Sequence, residues 1–585
     1  MSRGLIAERA KLSWFVARRA LMVTLARVNA HPYVRWRFSS AGTDRLLIAP
    51  QDLRTADPTR ASEIYAGRFA FAGKIVICDG RSPFEMVPPS DEWSEVLFGF
   101  GWLRHLRAAE SGITRANARA LVDEWITLQG TSDTIAWRPD IVARRILSWL
   151  SQAPLVLHDA DARFYRRFLR SLTRQVRYLR RTARNTREGL SGLQCLIALT
   201  AAALCMAGQE RMLKSTTRRL VDELQRQILP DGGHVSRNPG TLIELLVDLL
   251  PLRQAFAARN VVPPPALINA IDRMMPMLRF FRHGDGNFAL FNGMGPTPGD
   301  RLATILAYDD TRGTPVANAQ HSGYQRLQTN DVVVIVDTGT PPPIGLSHEA
   351  HAGCLAFELS WQHHRIVVNC GLPATNRESW RQLARATAAH STVTFNDSSS
   401  SRFLAAASLQ KLIGIPIIAG PSKLEVAREE RGEAVLLRSA HDGYVQRFGV
   451  VHQRTIRLAQ NGGRVDGEDM FLPEHGESLP SNKPDAYAIR FHLNPSIKAS
   501  RLTDGHSVML LLPNRQVWSF TAYEDRVEVE ESVYLAAADG PRRAVQIVVY
   551  GHARQTPRIH WTFAHMERNE PNARRDAEME PELPL

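Results

Sequence analysis

Near Ser322 the spacing of apolar residues along this chain changes from three-and-four to two, and few folds accommodate both patterns. From Trp93 to about Arg282 the apolar positions recur as on one face of a helix. Trp102, Leu103 and Leu106 are followed by Leu121, Trp125 and Leu128, and then by Ile141, Ile146, Trp149 and Leu150. Short polar turns carrying Gly or Pro, at 208–210 and 261–265, separate the segments, so this half reads as a stack of helical hairpins. Beyond Ser322, alternation takes over in 332–336, 355–359, 366–368, 393–395, 435–437, 507–512, 527–533 and 545–550. Many short strands joined by turns such as Asn461-Gly462-Gly463 predict a large antiparallel β-sandwich. The expected fold class is multidomain α+β, a helical unit followed by the sandwich.

The expected divisions are 1–90 for an N-terminal helix and a small lead-in with a hairpin through Gly67, Gly73 and Gly80, 91–310 for the helical unit, and 318–565 for the sandwich. Residues 566–585, rich in Glu, Arg and Pro, are expected to be a disordered tail. The apolar stretch Trp14 to Val28 is interrupted by Arg18, Arg19 and Arg27, which leaves too short a run for a cleaved export signal. It reads as a basic amphipathic helix, packed on the first domain or lying on an anionic membrane surface. The other apolar run, 190–207, contains Ser191, Gln194 and Thr200 and reads as a buried helix, not a membrane span.

Lys and Arg number 72 against 59 Asp and Glu, a net charge of +13 that favours polyanionic partners: acidic glycans, nucleic acid or anionic lipid. Charge alone does not choose among them. The five cysteines include no CxxC pair, which excludes a cysteine-built zinc module and argues against a disulfide framework. The chain lacks a phosphate-binding GxxxxGK[ST] loop, a GxSxG elbow, HExxH and a dinucleotide fingerprint.

His348-Glu349-Ala350-His351 stands in a distinctive setting. The stretch SHEAHAGCLAFELS (347–360) is followed by Arg365-Ile-Val-Val-Asn369-Cys-Gly371, by Trp380-Arg381, and by Arg385-Ala-Thr-Ala-Ala-His390-Ser-Thr-Val393. Further along come His441-Asp442-Gly443-Tyr444, His452-Gln-Arg454, Gly467-Glu-Asp469 and Arg490-Phe-His492. In this order the segments resemble the C-terminal domain of the heparinase II/III family of polysaccharide lyases, over roughly Ser322 to Phe563, and the helical unit suits that family's incomplete α/α toroid. The resemblance implies β-elimination at a uronic acid: a base removes the C5 proton, cationic or amide groups neutralise the carboxylate, and an acid protonates the departing O4. It also implies an acidic polysaccharide as partner and a place in the cell envelope or periplasm; with no readable export signal, the alternative is the cytoplasm. Nucleic acid is not an expected partner.

Several positions depart from the family pattern. Where members carry a Tyr that serves as base or acid, the nearest segment here, Asp231-Gly-Gly-His234-Val-Ser-Arg237-Asn238-Pro239-Gly-Thr241, has Thr241. The place of the catalytic His in the sandwich turn holds Glu349, with His348 one position away. The candidate catalytic set is therefore His234, Arg237 and Asn238 on the helical side and His348 and Glu349 on the sandwich side, with Tyr324 the nearest replacement phenol. A neutral His234 would accept the proton while Arg237 and Asn238 hold the carboxylate. No cofactor is required by this chemistry. The structural zinc of some members would fall to His351, Asn369 and His390, and Asn is a weaker ligand than the usual Asp. Two readings follow: a carbon-oxygen lyase with a different base set, or a scaffold that has lost elimination and serves as a glycan-binding or envelope-associated interaction protein.

Overall fold

The computed structural model describes residues 3–30, 43–128, 135–186, 188–309, 315–329, 331–374, 378–432, 434–476 and 478–566. The expected tail lies outside the described residues from 567 on.

The helical unit is organised around Leu190–Cys205, which is buried along nearly its whole length and packs against Pro139–Ser151, Glu210–Gln227 and Gly240–Ala258. Ala198 and Ala201 to Ala203 leave little side chain between these helices, so they approach closely. The peripheral helix Ala162–Thr182 turns Phe164, Phe168, Leu172, Val176 and Leu179 inward and most of its arginines outward. The Asp161 carboxylate starts it by accepting from the Phe164 N–H (2.8 Å). In the lead-in, Arg68–Phe71 pairs with Lys74–Ile77 through Ala72 and Gly73, whose positive φ angles of 48° and 73° make the tight turn natural strand twist favours. The Trp93 indole fixes this hairpin on the toroid by donating to the Phe69 carbonyl (3.1 Å).

Among the described residues the β half is built on two large antiparallel sheets, with the small pair Arg402–Phe403 and Ile417–Ala419 beside them. One runs in the order Leu424–Arg431, Ala434–Tyr444, Val450–Ala459, Arg464–Pro473, Arg558–Met566, Val517–Ala522, Ser507–Leu511, Lys498–Arg501. The other runs Arg526–Tyr534, Arg542–His552, Ala486–Leu493, His364–Val368, Phe357–Trp361, Val332–Asp337, Tyr324–Gln328, Asn318–Ala319, with Val393–Phe395 joined to Ala486–Leu493. The turn expected at Asn461-Gly462-Gly463 joins Val450–Ala459 to Arg464–Pro473, with Gly462 at a φ of 68°.

Between the sheets lies a core of Val334, Val336, Phe357, Ile456, Leu458, Phe491, Phe520 and Trp561. The second sheet is buried on its other face as well. Val333 and Ile335 belong to the core of the helical unit, while Val332, Val334 and Val336 of the same strand point into the sandwich. Every residue of Val332–Asp337 is buried, and the strand is one wall shared by two cores.

The N-terminal helix, Arg3–Ala30, packs on both halves of the molecule. It touches Ala407–Ile413 and Ile417–Ala419 of the sandwich and Ala162–Thr182 and Ala183–Asn185 of the toroid, and so crosses the junction between them. Phe15 and Met22 face inward. Trp14, Leu21, Leu25 and Val28 lie together about a quarter-turn round the helix, with 63%, 59%, 43% and 57% of their surface exposed.

Candidate functional site

The loop that carries three of the sequence candidates is a hinge pin between toroid and sandwich. Asp231 accepts from the Ser322 N–H (2.7 Å) and from the Gly233 N–H (3.0 Å). Gly232 sits at a φ of 89°, and a Cβ there would lie 1.9 Å from the Arg273 carbonyl oxygen, so only glycine fits. His234 is sealed behind this turn. The Ser236 N–H donates to its Nδ1 (3.1 Å), which leaves the proton on Nε2 to be donated to Gln227 Oε1 (3.0 Å). Burial pushes its pKa down to about 3. Both ring nitrogens are engaged within the helical unit, so the geometry does not offer His234 to a substrate as the proton acceptor expected of it.

Arg237 is committed in the same way. Its Nε donates to the Ser322 carbonyl (2.9 Å), Nη2 to the Gly323 carbonyl (2.9 Å) and Nη1 to the Thr340 carbonyl (3.1 Å), and Nη2 pairs with buried Asp337. Burial alone would lower its pKa, but the Asp337 carboxylate more than reverses this. A Cβ on Gly339 would fall 2.3 Å from the guanidinium, so the sandwich strand end is shaped around it. Tyr324 completes the knot: its hydroxyl donates to the Arg237 carbonyl (2.6 Å) and accepts from Asn292 Nδ2 (2.7 Å), which also donates to Asp337 (2.9 Å). Its ring is wholly buried and burial raises its pKa, so it is a core phenol and not a substitute base at a surface.

A second clamp lies deeper. Glu358, on Phe357–Trp361, accepts from the Leu290 N–H (3.1 Å) and the Asn369 N–H (2.9 Å), and faces His283 Nε2 (3.1 Å). Asn369 is spent here, with Nδ2 donating to Glu358 (3.2 Å) and its oxygen accepting from the Ser391 N–H (2.9 Å). His390 Nδ1 donates to the Ala386 carbonyl (2.8 Å), so its Nε2 accepts from His351 Nδ1 (2.8 Å). His351 Nε2 is left a buried acceptor with no hydrogen-bond partner. The facing imidazoles bind each other and the Asn369 oxygen binds Ser391, so the trio as arranged does not fit a zinc ion. Among the described residues no three His, Cys, Asp or Glu side chains gather as a metal site.

Two candidates do meet across the junction. Asn238 Nδ2 donates to Glu349 Oε2 (3.3 Å), and Glu349, half exposed, pairs with Arg381 (3.2 Å). His348 lies elsewhere, in the wall of a cavity of about 420 Å3 lined by the toroid, the loop 343–348 and the N-terminal helix. This cavity is cationic. Arg184, Arg219 and Arg226 enter from the toroid and Arg18 and Arg19 from the helix, with Glu188 and Glu223 the carboxylates in its wall. Arg18 pairs with Glu188 (2.5 Å) and Arg226 with Glu223 (3.3 Å). Burial lowers the pKa of Arg219, Arg184 adds to this and Glu223 opposes it. Sequence reasoning missed these arginines, although Arg219, Glu223 and Arg226 share one face of Glu210–Gln227, a legible signal.

Residues 311–562 match the family model described as heparinase II/III-like, C-terminal. Over 562 residues the chain is 32% identical to FtsZ-localized protein C of Caulobacter vibrioides, covering 92% of this chain and 96% of that protein. Among solved structures it is similar to heparinase III, with 13% identity, 93% of this chain and 91% of that one covered, and a TM-score of 0.69. It is also similar to the heparan sulfate lyase HepC from Pedobacter heparinus, with 14% identity, 93% and 88% covered, and a TM-score of 0.58. At these identities the structures speak for the fold, a toroid joined to a sandwich. With the family-model match, the relative over nearly the whole chain and that shared architecture together, the chain belongs to the heparinase II/III family.

Proposed function

We propose that this chain holds an acidic polysaccharide in the arginine-lined cavity and no longer performs the elimination associated with its scaffold. The observation that carries the reading is the excess of guanidinium groups over carboxylates in that cavity. Elimination also needs a proton acceptor at C5 and a donor at O4. Thr241 stands at the family's Tyr position, Tyr324 is buried in the Arg237 knot, and His234 is neutral and enclosed. The test is to incubate the protein with a panel of uronic-acid polysaccharides, following binding and the ultraviolet absorbance of unsaturated product in parallel. Binding without product is expected; sustained product formation would establish a lyase instead.

A lyase reading has one observation in its favour: His348 lines the cavity. On that reading His348 is the base, and His348→Ala would lower turnover by about two to four orders of magnitude. An interaction role draws on the relative whose name places that relative with FtsZ; the cell envelope is the compartment the family resemblance suggests. Contact with an anionic membrane surface would use the exposed Trp14, Leu21 and Leu25 face; no helix among the described residues is long and apolar enough to cross a membrane. The cytoplasm is the alternative compartment.

A further inference from the structure

We infer that the N-terminal helix closes one side of the arginine-lined cavity, so that it receives a short acidic oligosaccharide or the end of a chain and excludes the interior of a polymer. The inference rests on the glycan reading above and adds the length and position of what is bound.

The helix is seated in a place shaped for it. A Cβ on Gly345 would lie 2.7 Å from Glu188 Oε2 and 3.2 Å from the Phe15 ring, and one on Gly189 would lie 2.7 Å from Leu346. Helix, toroid and sandwich loop thus approach one another closely at these two glycines. The Arg18–Glu188 pair ties the helix to the toroid, and its contacts with Ala407–Ile413 tie it to the sandwich. It therefore spans from toroid to sandwich over one side of the cavity. The helix also contributes chemistry, because two of the five guanidinium groups, Arg18 and Arg19, come from it. An anion recognised by the complete set can be recognised only under the closed helix. The space beneath it, about 420 Å3, is in the range for a small ligand and admits about two sugar rings. Phe15, Met22 and Leu346 supply apolar surface for ring faces.

The test titrates the full-length protein with uronic-acid oligosaccharides from disaccharide to polymer, reading affinity and stoichiometry by calorimetry. Affinity should stop rising after the first few sugars, and a polymer should take up one protein per chain end. In Phe15→Asp/Met22→Asp the helix should leave its seat, reported by trypsin cleavage at Arg18 and Arg19. Short oligosaccharides should then bind about tenfold or more weakly, and polymer should bind many copies along its length. Arg18→Gln/Arg19→Gln, which leaves the apolar seat intact, should weaken short-chain binding about tenfold and keeps the test open if the first variant fails to fold. Wild-type protein decorating a polymer along its length would overturn the inference alone, as would undiminished short-chain affinity in a variant whose helix trypsin shows to be out. Failure of every acidic saccharide to bind would overturn the glycan reading itself and the inference with it.

Discussion

The seam between toroid and sandwich and the cavity beside it are built from the same residue types and put them to opposite uses. In the seam, all three guanidinium nitrogens of Arg237 and both nitrogens of His234 find partners within the protein, and the counter-ion Asp337 is buried beside the guanidinium. In the cavity, five arginines line the wall against two glutamates and the local charge is left uneven. A buried network satisfied by its own groups holds a structure together; a charged wall left unbalanced holds something that arrives from outside. The contrast explains why a match to the family's motifs is a better guide to how this chain folds than to what it binds.

Removing charge from each region should separate them. Arg237→Ala leaves Asp337 buried without its partner and should cost about 3–5 kcal/mol of stability, read from urea unfolding. If the variant unfolds like the wild type, the seam is not the anchor described here.

The next effect is one of pH. The ordinary pKa of histidine is 6.5 and that of folded His234 is about 3, so the unfolded chain takes the proton first. The stabilisation due to neutral His234 is complete above pH 6.5 and is lost as pH falls toward 3, at about 1.4 kcal/mol per pH unit. Stability measured against pH should therefore be less steep in His234→Gln by about that amount; parallel slopes would place His234 outside the seam.

Arg219→Gln should do the reverse of Arg237→Ala. Stability should change by only about 0.5 kcal/mol, while affinity for an acidic polysaccharide falls about tenfold and its salt dependence flattens. A large loss of stability with binding intact would erase the distinction between the two regions. The smallest effect concerns zinc. Because Asn369 is turned to Glu358 and Ser391, purified protein should carry well under one equivalent by elemental analysis, and a full equivalent would show that the His351–His390 pair opens to a metal.

The change of period near Ser322 made both halves of the fold legible, because burying one face of a helix and one face of a strand leaves different spacings. Val450–Ala459 shows where this signal fades. Its buried positions are Val450, His452, Arg454, Ile456 and Leu458, a faultless period of two with an imidazole and a guanidinium among them. His452 and Arg454 both reach buried Asp469, at 2.7 and 2.8 Å, which makes burial of polar groups tolerable and hides the strand from a hydrophobicity pattern. The candidate site was less legible for a related reason. His234, Arg237 and Tyr324 sit in a polar, glycine-bearing setting, and sequence cannot tell a group that awaits a substrate from one already satisfied by the neighbouring domain. The Arg219–Arg226 face was legible but unremarked, because Arg184, Arg18 and Arg19, which give it meaning, come from distant parts of the chain.

The strand Val332–Asp337 carries a consequence for how this molecule comes apart and how its kind can change. Its alternate side chains are load shared by two interiors, so melting either half strips one face of that strand and exposes the other half's core to water. Heating should give one endotherm and not two. For the same reason, recombination between relatives that joined the toroid of one to the sandwich of another would bring Val333 and Ile335 against side chains they were not fitted to, so the two halves are expected to be inherited as a pair.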